Sequence, residues 1–374
     1  MTTHMLEGRI LTPSGFVHGA LEVVQGRVAR ITGQPVTAQG VRDGARPIIL
    51  PGFIDLHVHG AGGVDIMQGG GAAEQVARTH VRTGTTSLLA TTMTAPLDEI
   101  ARAIAAVQPL IAQPGKDAAR VLGIHLEGPY INPGKLGAQP AFARPNSLAE
   151  IQQLNAHAPI RLVTVAPELE GGIELIVALR AAGFIVQIGH TLGSYEDGIA
   201  ALAAGASGFT HLFNAMSGLH HRAPGIVGAA LAHAQYAELI ADLQHVHPGA
   251  IKAALRAIPH LYCVTDSTAA TGMPDGEYAL GSHRVRKCGN GVRLADGTLA
   301  GSTLTMDAAL RNLVALDLPL DDAARRVSTY AAQFLGLADR GQLAAGAFAD
   351  IVVMNRDLQI QQVMVQGQWV DLGR

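Results

Sequence analysis

Charged residues, aromatic residues and cysteine are all scarce in this chain of 374 residues. Charged residues make up 15% of the sequence and aromatic residues 4%, whereas 48% of the residues are hydrophobic. The formal net charge is −3, and no cluster of lysine or arginine reaches the density of a nucleic-acid footprint. We therefore expect no nucleic-acid partner, and a core large enough for a barrel of about 250 residues with additions.

Long apolar runs and a disulfide framework are also missing. Only two cysteines occur, and Cys263 lies inside an apolar run, so paired cysteines are not expected to hold the fold together. No stretch approaches the roughly 18 apolar residues of a membrane span, and the amino terminus lacks the pattern of a secretory signal. We expect a soluble, cytoplasmic protein with no membrane partner.

Short apolar runs do occur, at intervals of roughly 20 to 40 residues, with alanine-rich helical segments between most of them. The runs are Phe53–Val58, Thr86–Thr92, Val121–Leu126, Arg161–Ala166, Phe184–Ile188, Gly208–Leu212, Leu239–Leu243 and Leu261–Thr265. Strands that alternate with helices pair in parallel, and eight such units fit a closed (β/α)8 TIM-type barrel. A doubly wound open sheet is the alternative α/β architecture.

Both chain ends have a different sequence pattern, in which short segments typical of β-strands are separated by glycine and proline. We predict that residues 1–50 and 341–374 together form a small β-sandwich domain, and that residues 51–340 form the barrel. A glycine-rich and turn-rich insert near residues 275–301 is predicted to be a hairpin over the barrel mouth.

Residues that can bind a metal or move a proton lie at the ends of most of the eight runs. They are His57 and His59 at the end of the first run, Glu127 at the third, His190 at the fifth, His211 at the sixth, His245 at the seventh and Asp266 at the eighth. In barrel enzymes the working residues lie at the carboxyl ends of the strands. Structural zinc sites usually combine closely spaced cysteine or histidine pairs, so this pattern favours a catalytic site.

Two histidines at positions i and i+2 of a strand point to one face, which suits a divalent metal. One ion could bind Glu127, His190 and His211, and a second could bind His57, His59 and a shared oxygen of Glu127. Some barrels bridge two metals with a modified lysine instead. This chain has only four lysines, and none lies on a predicted barrel strand.

Asp266 and His245 face the same predicted mouth. A carboxylate beside activated water can accept its proton and pass it to a leaving amine, although Asp266 could instead cap a helix. His245 belongs to a second His-x-His pair. Because His247 precedes Pro248, where the strand should be ending, we expect His245 to contact substrate and His247 to have no role in the site.

Six segments together resemble the N-acetylglucosamine-6-phosphate deacetylases, a family of the amidohydrolase superfamily. The segments are Pro51–Gly60, His125–Pro129, Gly189–Thr191, His211–Met216, Ile240–Asp242 and Thr265–Ser267. The resemblance runs from about residue 5 to the end of the chain. It implies hydrolysis of the acetamide of N-acetyl-D-glucosamine 6-phosphate to acetate and D-glucosamine 6-phosphate, with Glu127, His190 and His211 as principal metal ligands and Asp266 as proton shuttle.

The resemblance also implies how the substrate is held. Asn214, Ala215, Arg222 and His245 would bind the sugar phosphate, and Arg222 would reach across a homodimer into the partner's site; without the family, Arg222 reads as a surface residue. Gln139 stands where some members have a histidine that polarises the acetyl carbonyl. Some members replace the first-strand histidines and keep one metal, whereas this chain has both, so we expect two ions per subunit, zinc or iron. Because an amide carries no positive charge, the second ion would supply the missing polarisation.

Two other functions remain open from the sequence. The same site could act on N-acetylgalactosamine 6-phosphate or on another amide or cyclic amide. A noncatalytic assembly barrel is the remote alternative, but such a barrel is expected to have lost metal positions, and none of the five is lost here.

Overall fold

The computed structural model describes residues 2–37, 40–41 and 44–373, and its centre is the predicted (β/α)8 barrel. The barrel strands are β5 (Phe53–Val58), β8 (Thr85–Thr92), β9 (Arg120–Glu127), β10 (Ile160–Val165), β11 (Ile185–Ile188), β12 (Gly208–Phe209), β13 (Tyr236–Ile240) and β14 (His260–Val264). Each predicted run overlaps one of these strands. β12 is shorter than its run, and β13 begins and ends three residues earlier than predicted.

The barrel closes through hydrogen bonds between strand ends. Strands β5 and β8–β12 form one parallel sheet, and β13 pairs in parallel with β14. The amide of Leu212 donates to the Glu238 carbonyl at 2.9 Å, and the amide of Asp266 donates to the His57 carbonyl at 2.9 Å. These two contacts join the pair to both edges of the larger sheet, so the carboxyl ends of all the strands meet at one mouth.

Helices cover the outside of the barrel. They are α1 (Ala72–Val81), α2 (Leu97–Ala112), α3 (Leu148–Asn155), α4 (Gly172–Ala181), α5 (Tyr195–Ala203), α6 (Gly225–His233), α7 (Pro248–Ala257), α8 (Met306–Ala315), α9 (Leu320–Arg326) and α10 (Thr329–Phe334). In α2, Ile100, Ile104 and Val107 are buried at helical spacing and pack into the main core. Among the described helices, none combines the length and apolarity needed to cross a membrane.

Strands from both chain ends form a separate seven-stranded sheet. Its members are β1 (Thr3–Thr12), β2 (Gly15–Val24), β3 (Arg27–Pro35), β4 (Ile48–Pro51), β19 (Ile351–Met354), β20 (Ile360–Val365) and β21 (Gln368–Trp369). The amide of Val28 donates to the Ala347 carbonyl at 2.9 Å, so the sheet folds over its own small core. Alternation decides which side each residue faces: Ile49 packs in this small core, whereas Ile48 and Leu50 pack in the barrel core.

An antiparallel sheet stands in place of the predicted simple hairpin at residues 275–301. It contains β15 (Gly276–Leu280), β16 (His283–Cys288), β17 (Gly291–Arg293) and β18 (Leu299–Ser302), and we call it the flap. A two-stranded ribbon of β6 (Gly60–Ala61) and β7 (Val64–Asp65) lies beside it, and the amide of Gly281 donates to Asp65 Oδ2 at 2.8 Å. The domain boundaries near residues 50 and 340 stay predictions, and their outermost residues, 1 and 374, lie outside the described part of the chain.

Candidate active site

Two pairs of histidines meet at the side chain of Glu127, the last residue of β9. Glu127 Oε1 lies 3.0 Å from the Nε2 atoms of both His190 and His211, which are 3.1 Å from each other. Glu127 Oε2 lies 3.3 Å from His57 Nε2 and 3.1 Å from His59 Nε2, which are also 3.1 Å apart. One carboxylate thus turns one oxygen to each pair, and all five side chains are buried.

The backbone turns sharply at three of the predicted site residues. His190, His211 and Asp266 have positive φ angles of 48°, 29° and 49°. A left-handed conformation costs a residue other than glycine energy, on the order of 1–3 kcal/mol, and such strain is concentrated at functional sites. Here each turn follows a barrel strand directly, and it directs the side chain into the mouth.

The hydrogen bonds behind the imidazoles suit metal ligation. His190 Nδ1 donates to the Lys135 carbonyl at 2.8 Å, and His59 Nδ1 lies 3.3 Å from the Thr91 carbonyl. Since a carbonyl only accepts, the proton of each neutral ring sits on Nδ1 and the Nε2 lone pair faces Glu127. Bare nitrogens and a carboxylate oxygen about 3 Å apart repel one another, and a divalent ion with ligand distances of about 2.0–2.2 Å would remove that repulsion. The residues therefore fit a metal.

The pKa shifts of the polypeptide alone also indicate a need for positive charge. Burial by itself would lower the pKa of His59, but hydrogen bonds to Asp266 and Glu127 raise it to about 9. Burial would raise the pKa of Glu127, yet the adjacent His57 and the hydrogen-bonded histidines hold it well below its ordinary value. The two carboxylates thus attract cations to the site, and a metal ion would satisfy them in place of protons.

Asp266 lies beside the His57–His59 pair and does not cap a helix. Its Oδ1 is 3.3 Å from His59 Nε2 and 3.6 Å from His57 Nε2. Burial would raise its pKa, but the charge on His57 and the hydrogen bond to His59 lower it below the ordinary value. With 12% of its side chain exposed, Asp266 reaches the cavity above the histidines.

A cavity of about 230 Å³ is lined by four of the five candidate ligands, His59, Glu127, His190 and His211. Four of the five predicted substrate contacts line it: Gln139, Asn214, Ala215 and His245. Leu280 and Leu299 of the flap form part of its wall. Arg222 lies elsewhere, on an exposed loop where its guanidinium contacts His221 Nε2 at 3.1 Å. Among the described residues that line the cavity, none is a lysine or an arginine.

Gln139 is held against Glu127 by two short hydrogen bonds. Its Nε2 donates to Glu127 Oε2 at 2.6 Å, and its Oε1 accepts from the Thr94 amide at 2.7 Å. The side-chain amide therefore fixes the oxygen that faces the His57–His59 pair. Its predicted contact with substrate stays a prediction.

Sequence reasoning missed two carboxylates that contact predicted site residues. Glu238 lies below the site with Oε2 3.0 Å from His57 Nδ1, and Asp242 Oδ2 lies 2.7 Å from His245 Nδ1. A glutamate inside an otherwise apolar strand was the available signal for Glu238. His247 caps the N-terminus of helix α7, where its Nδ1 accepts from the Gly249 amide at 3.1 Å.

Comparisons of the sequence with known proteins point to one family. The sequence pattern of the amidohydrolase family matches residues 48–370. The chain is 39% identical to an N-acetylgalactosamine-6-phosphate deacetylase of Escherichia coli O157:H7, over 98% of this chain and 99% of that protein. It is 38% identical to an N-acetylglucosamine-6-phosphate deacetylase of Lysinibacillus sphaericus, over 92% and 91%.

A solved structure gives the same result for the fold. The N-acetyl-D-glucosamine-6-phosphate deacetylase of Mycobacterium smegmatis, determined as a variant in complex with N-acetyl-D-glucosamine-6-phosphate, superposes with a TM-score of 0.90 at 34% identity. The match covers 99% of this chain and all of that one. The chain belongs to the amidohydrolase family.

Proposed function

We propose that the chain hydrolyses the acetamide of N-acetyl-D-glucosamine 6-phosphate to acetate and D-glucosamine 6-phosphate in the cytoplasm. The observation that carries the proposal is the Glu127 carboxylate between two histidine pairs, with Asp266 beside them at the base of a cavity. Relatives that span nearly the whole chain are deacetylases of phosphorylated amino sugars, which supports this substrate class.

The candidate site residues have two different roles in the proposed reaction, metal binding and proton transfer. Glu127, His190 and His211, together with His57 and His59, would hold the metal, which when bound makes water more acidic and polarises a carbonyl oxygen. Asp266 Oδ1 takes a proton from the water that adds to the acetyl carbon. It then delivers that proton to the sugar nitrogen as the carbon–nitrogen bond breaks, so the nitrogen leaves as a neutral amine.

Two ions per subunit, zinc or iron, are the finer part of the proposal. The two histidine pairs each have their own oxygen of Glu127, which supports two positions. Gln139 carries no positive charge and donates one of its amide hydrogens to Glu127, which supports the second position as the source of polarisation of the acetyl carbonyl. A variant with both His57→Asn and His59→Asn should bind one ion and turn over slowly; unchanged metal content and rate would disprove this part.

The described residues that line the cavity include no lysine or arginine to bind the phosphate. A phosphate dianion is bound best by an arginine fork. Arg222 is exposed and does not line the cavity of its own chain, which supports its placement in the partner's cavity in a homodimer. His245 and Asn214 would then contact the sugar phosphate from the subunit that holds the metal.

N-acetyl-D-galactosamine 6-phosphate is the second candidate substrate. The Escherichia coli relative with that specificity in its name is as similar to this chain as the glucosamine-specific relatives are. The two sugars differ only at the 4-hydroxyl group, which is remote from the acetamide. The same catalytic residues would therefore serve either sugar.

A substrate panel tests the proposed function. Acetate release should be measured with both epimers, each with and without the 6-phosphate group. We expect the phosphorylated glucosamine derivative to give the highest kcat/KM, and each unphosphorylated sugar to give a much lower value. Higher kcat/KM with the galactosamine derivative would move the assignment to the epimer, and no release from any amide by metal-loaded protein would favour the noncatalytic barrel.

A further inference from the structure

Glu238 is a buried carboxylate that touches both histidine pairs without facing the cavity. It lies on β13 and is fully buried. Its Oε2 is 3.0 Å from His57 Nδ1 and accepts from the backbone amide of His211 at 3.1 Å. A single oxygen atom therefore connects a side chain of one pair with the backbone of the other.

The contact determines which nitrogen of His57 is available to a metal. An ionised carboxylate only accepts hydrogen bonds, so the neutral His57 ring must carry its proton on Nδ1. The lone pair of Nε2 is then free and lies 3.3 Å from Glu127 Oε2. Among the candidate ligands, His59 and His190 obtain the same orientation from backbone carbonyls, and His57 alone obtains it from a negative charge.

The surroundings of Glu238 give this charge little other compensation. Within the described residues its Oε1 has no hydrogen-bond partner, and its Oε2 is bound only by the ring and the amide. A buried carboxylate is unfavourable unless it is paired with positive charge. An ion on the far side of the His57 ring would supply that charge through the imidazole.

We propose that Glu238 is a positioning residue for the second metal position, the one formed by His57, His59 and Glu127 Oε2. The inference rests on the two-ion part of the proposed function. Carboxylates that accept from a ligating histidine raise the basicity of the ring and fix its tautomer, and their loss typically weakens metal binding 10–100-fold. Glu238 therefore sets the affinity of the second position and has much less influence on the first.

The variant Glu238→Gln tests this role directly, because it keeps the shape and removes the charge. Zn²⁺ binding to the metal-free protein should be followed by competition with a chelator of known affinity, without any activity measurement. We expect the weaker of two binding steps to lose 10–100-fold in affinity and the tighter step to change less than threefold. Glu238→Asp keeps the charge on a shorter side chain and should lose less.

Glu150→Gln is the matched control, since it makes the same change of charge at a carboxylate that accepts from Tyr130 and Arg144 and contacts no candidate ligand. Its two affinities should equal those of the wild-type protein. Equal weakening of both steps in Glu238→Gln, unchanged affinities, or a single step in the wild-type protein would each overturn the inference. If Glu238→Gln does not fold, Glu238→Asp must show the selective loss. If the wild-type protein binds zinc in two steps and Glu238→Gln weakens only one of them, but the wild-type protein releases no acetate, the proposed function alone would be refuted.

Discussion

At the scale of single residues, the site depends on how one carboxylate is oriented. Glu127 is fixed from three sides, by the His190–His211 pair on Oε1, the His57–His59 pair on Oε2, and the amide of Gln139 on Oε2. Asp266 is the acidic side chain beside this group that also reaches the cavity. In the proposed function these positions separate metal binding, which Glu127 would serve, from proton transfer, which would fall to Asp266.

Replacement of Asp266 by asparagine should separate these two roles. The amide keeps the shape of the side chain but cannot accept and return a proton, so we expect turnover to fall by about 10²–10⁴-fold. Metal content, measured by elemental analysis, and substrate binding should change little. A variant that keeps more than a tenth of the wild-type turnover would remove Asp266 from the proton-transfer role.

His80 makes a residue-scale prediction about stability. It is buried on α1, its Nε2 lies 2.9 Å from Ser267 Oγ, and burial lowers its pKa to about 4. The imidazole of His80 takes up a proton near pH 6.5 in the unfolded chain but only near pH 4 in the folded chain. The contribution of the neutral, buried His80 to stability is therefore complete above pH 6.5, and it is lost as the pH falls towards 4. Between pH 7 and pH 5 the loss is about 2 kcal/mol.

The test compares denaturant unfolding of metal-free wild-type protein and His80→Gln at pH 7 and pH 5. We expect the variant to lose about 2 kcal/mol less on acidification, whatever its stability at pH 7. His157→Gln, at an exposed position, should keep the wild-type pH dependence. An identical pH dependence in all three proteins would contradict the burial argument.

The candidate ligands could be predicted from the sequence because each lies at or just after the carboxyl end of an apolar strand, and strand ends converge in a barrel. Their supporting residues could not be predicted in this way. Glu238 is 181 positions from His57, and only the closure of the barrel brings the two side chains together. The hydrogen bond from Gln139 to Glu127 likewise depends on the path of a loop.

At the scale of elements, the flap forms one wall of the cavity. It supplies Leu280 and Leu299 to the cavity and packs its own small core against Met93 and Ala270 of the barrel. Asp65 holds its tip, since Oδ2 accepts from the Gly281 amide while Oδ1 accepts from the Met67 amide. The sequence indicated an insert here, but glycine-rich turns did not distinguish a hairpin from a four-stranded sheet.

Asp65→Asn should release the flap selectively. The asparagine oxygen can still accept from Met67, while its amide group opposes the Gly281 amide. The loss of one hydrogen bond, about 1 kcal/mol, should raise KM roughly fivefold with kcat within about twofold. Ser282→Ala, on the exposed turn beside Gly281, is the control and should leave KM unchanged. Unchanged KM in Asp65→Asn would show that the flap does not shape the substrate site.

At the scale of the whole molecule, the described chain contains a nearly complete site that lacks a cation for the phosphate. The barrel supplies the candidate ligands, and the flap closes one side of the cavity. The exposed Arg222 would complete the site if two copies associate with their mouths near each other. Strand and helix patterns do not predict association between copies of the chain. The family resemblance is what implies a homodimer.

Mixed dimers test whether Arg222 acts across the interface. Arg222→Ala and Asp266→Asn subunits should each be inactive as pure dimers. After equal mixing and exchange of subunits, each hybrid dimer should contain one intact site, because the Arg222→Ala subunit keeps Asp266 and receives arginine from its partner. Random pairing gives about a quarter of the wild-type activity. Activity no higher than the sum of the separate variants would show that Arg222 does not act across the interface.

The most direct test of the account is acetate release from N-acetyl-D-glucosamine 6-phosphate by one preparation before chelation, after chelation and after metal is returned. We expect hydrolysis by the purified protein, loss of activity as elemental analysis shows the metal removed, and recovery when zinc or iron is added back. Hydrolysis that continues at the same rate in protein free of metal would contradict the assignment of Glu127 and the four histidines. Metal-loaded protein that releases no acetate would contradict the proposed reaction.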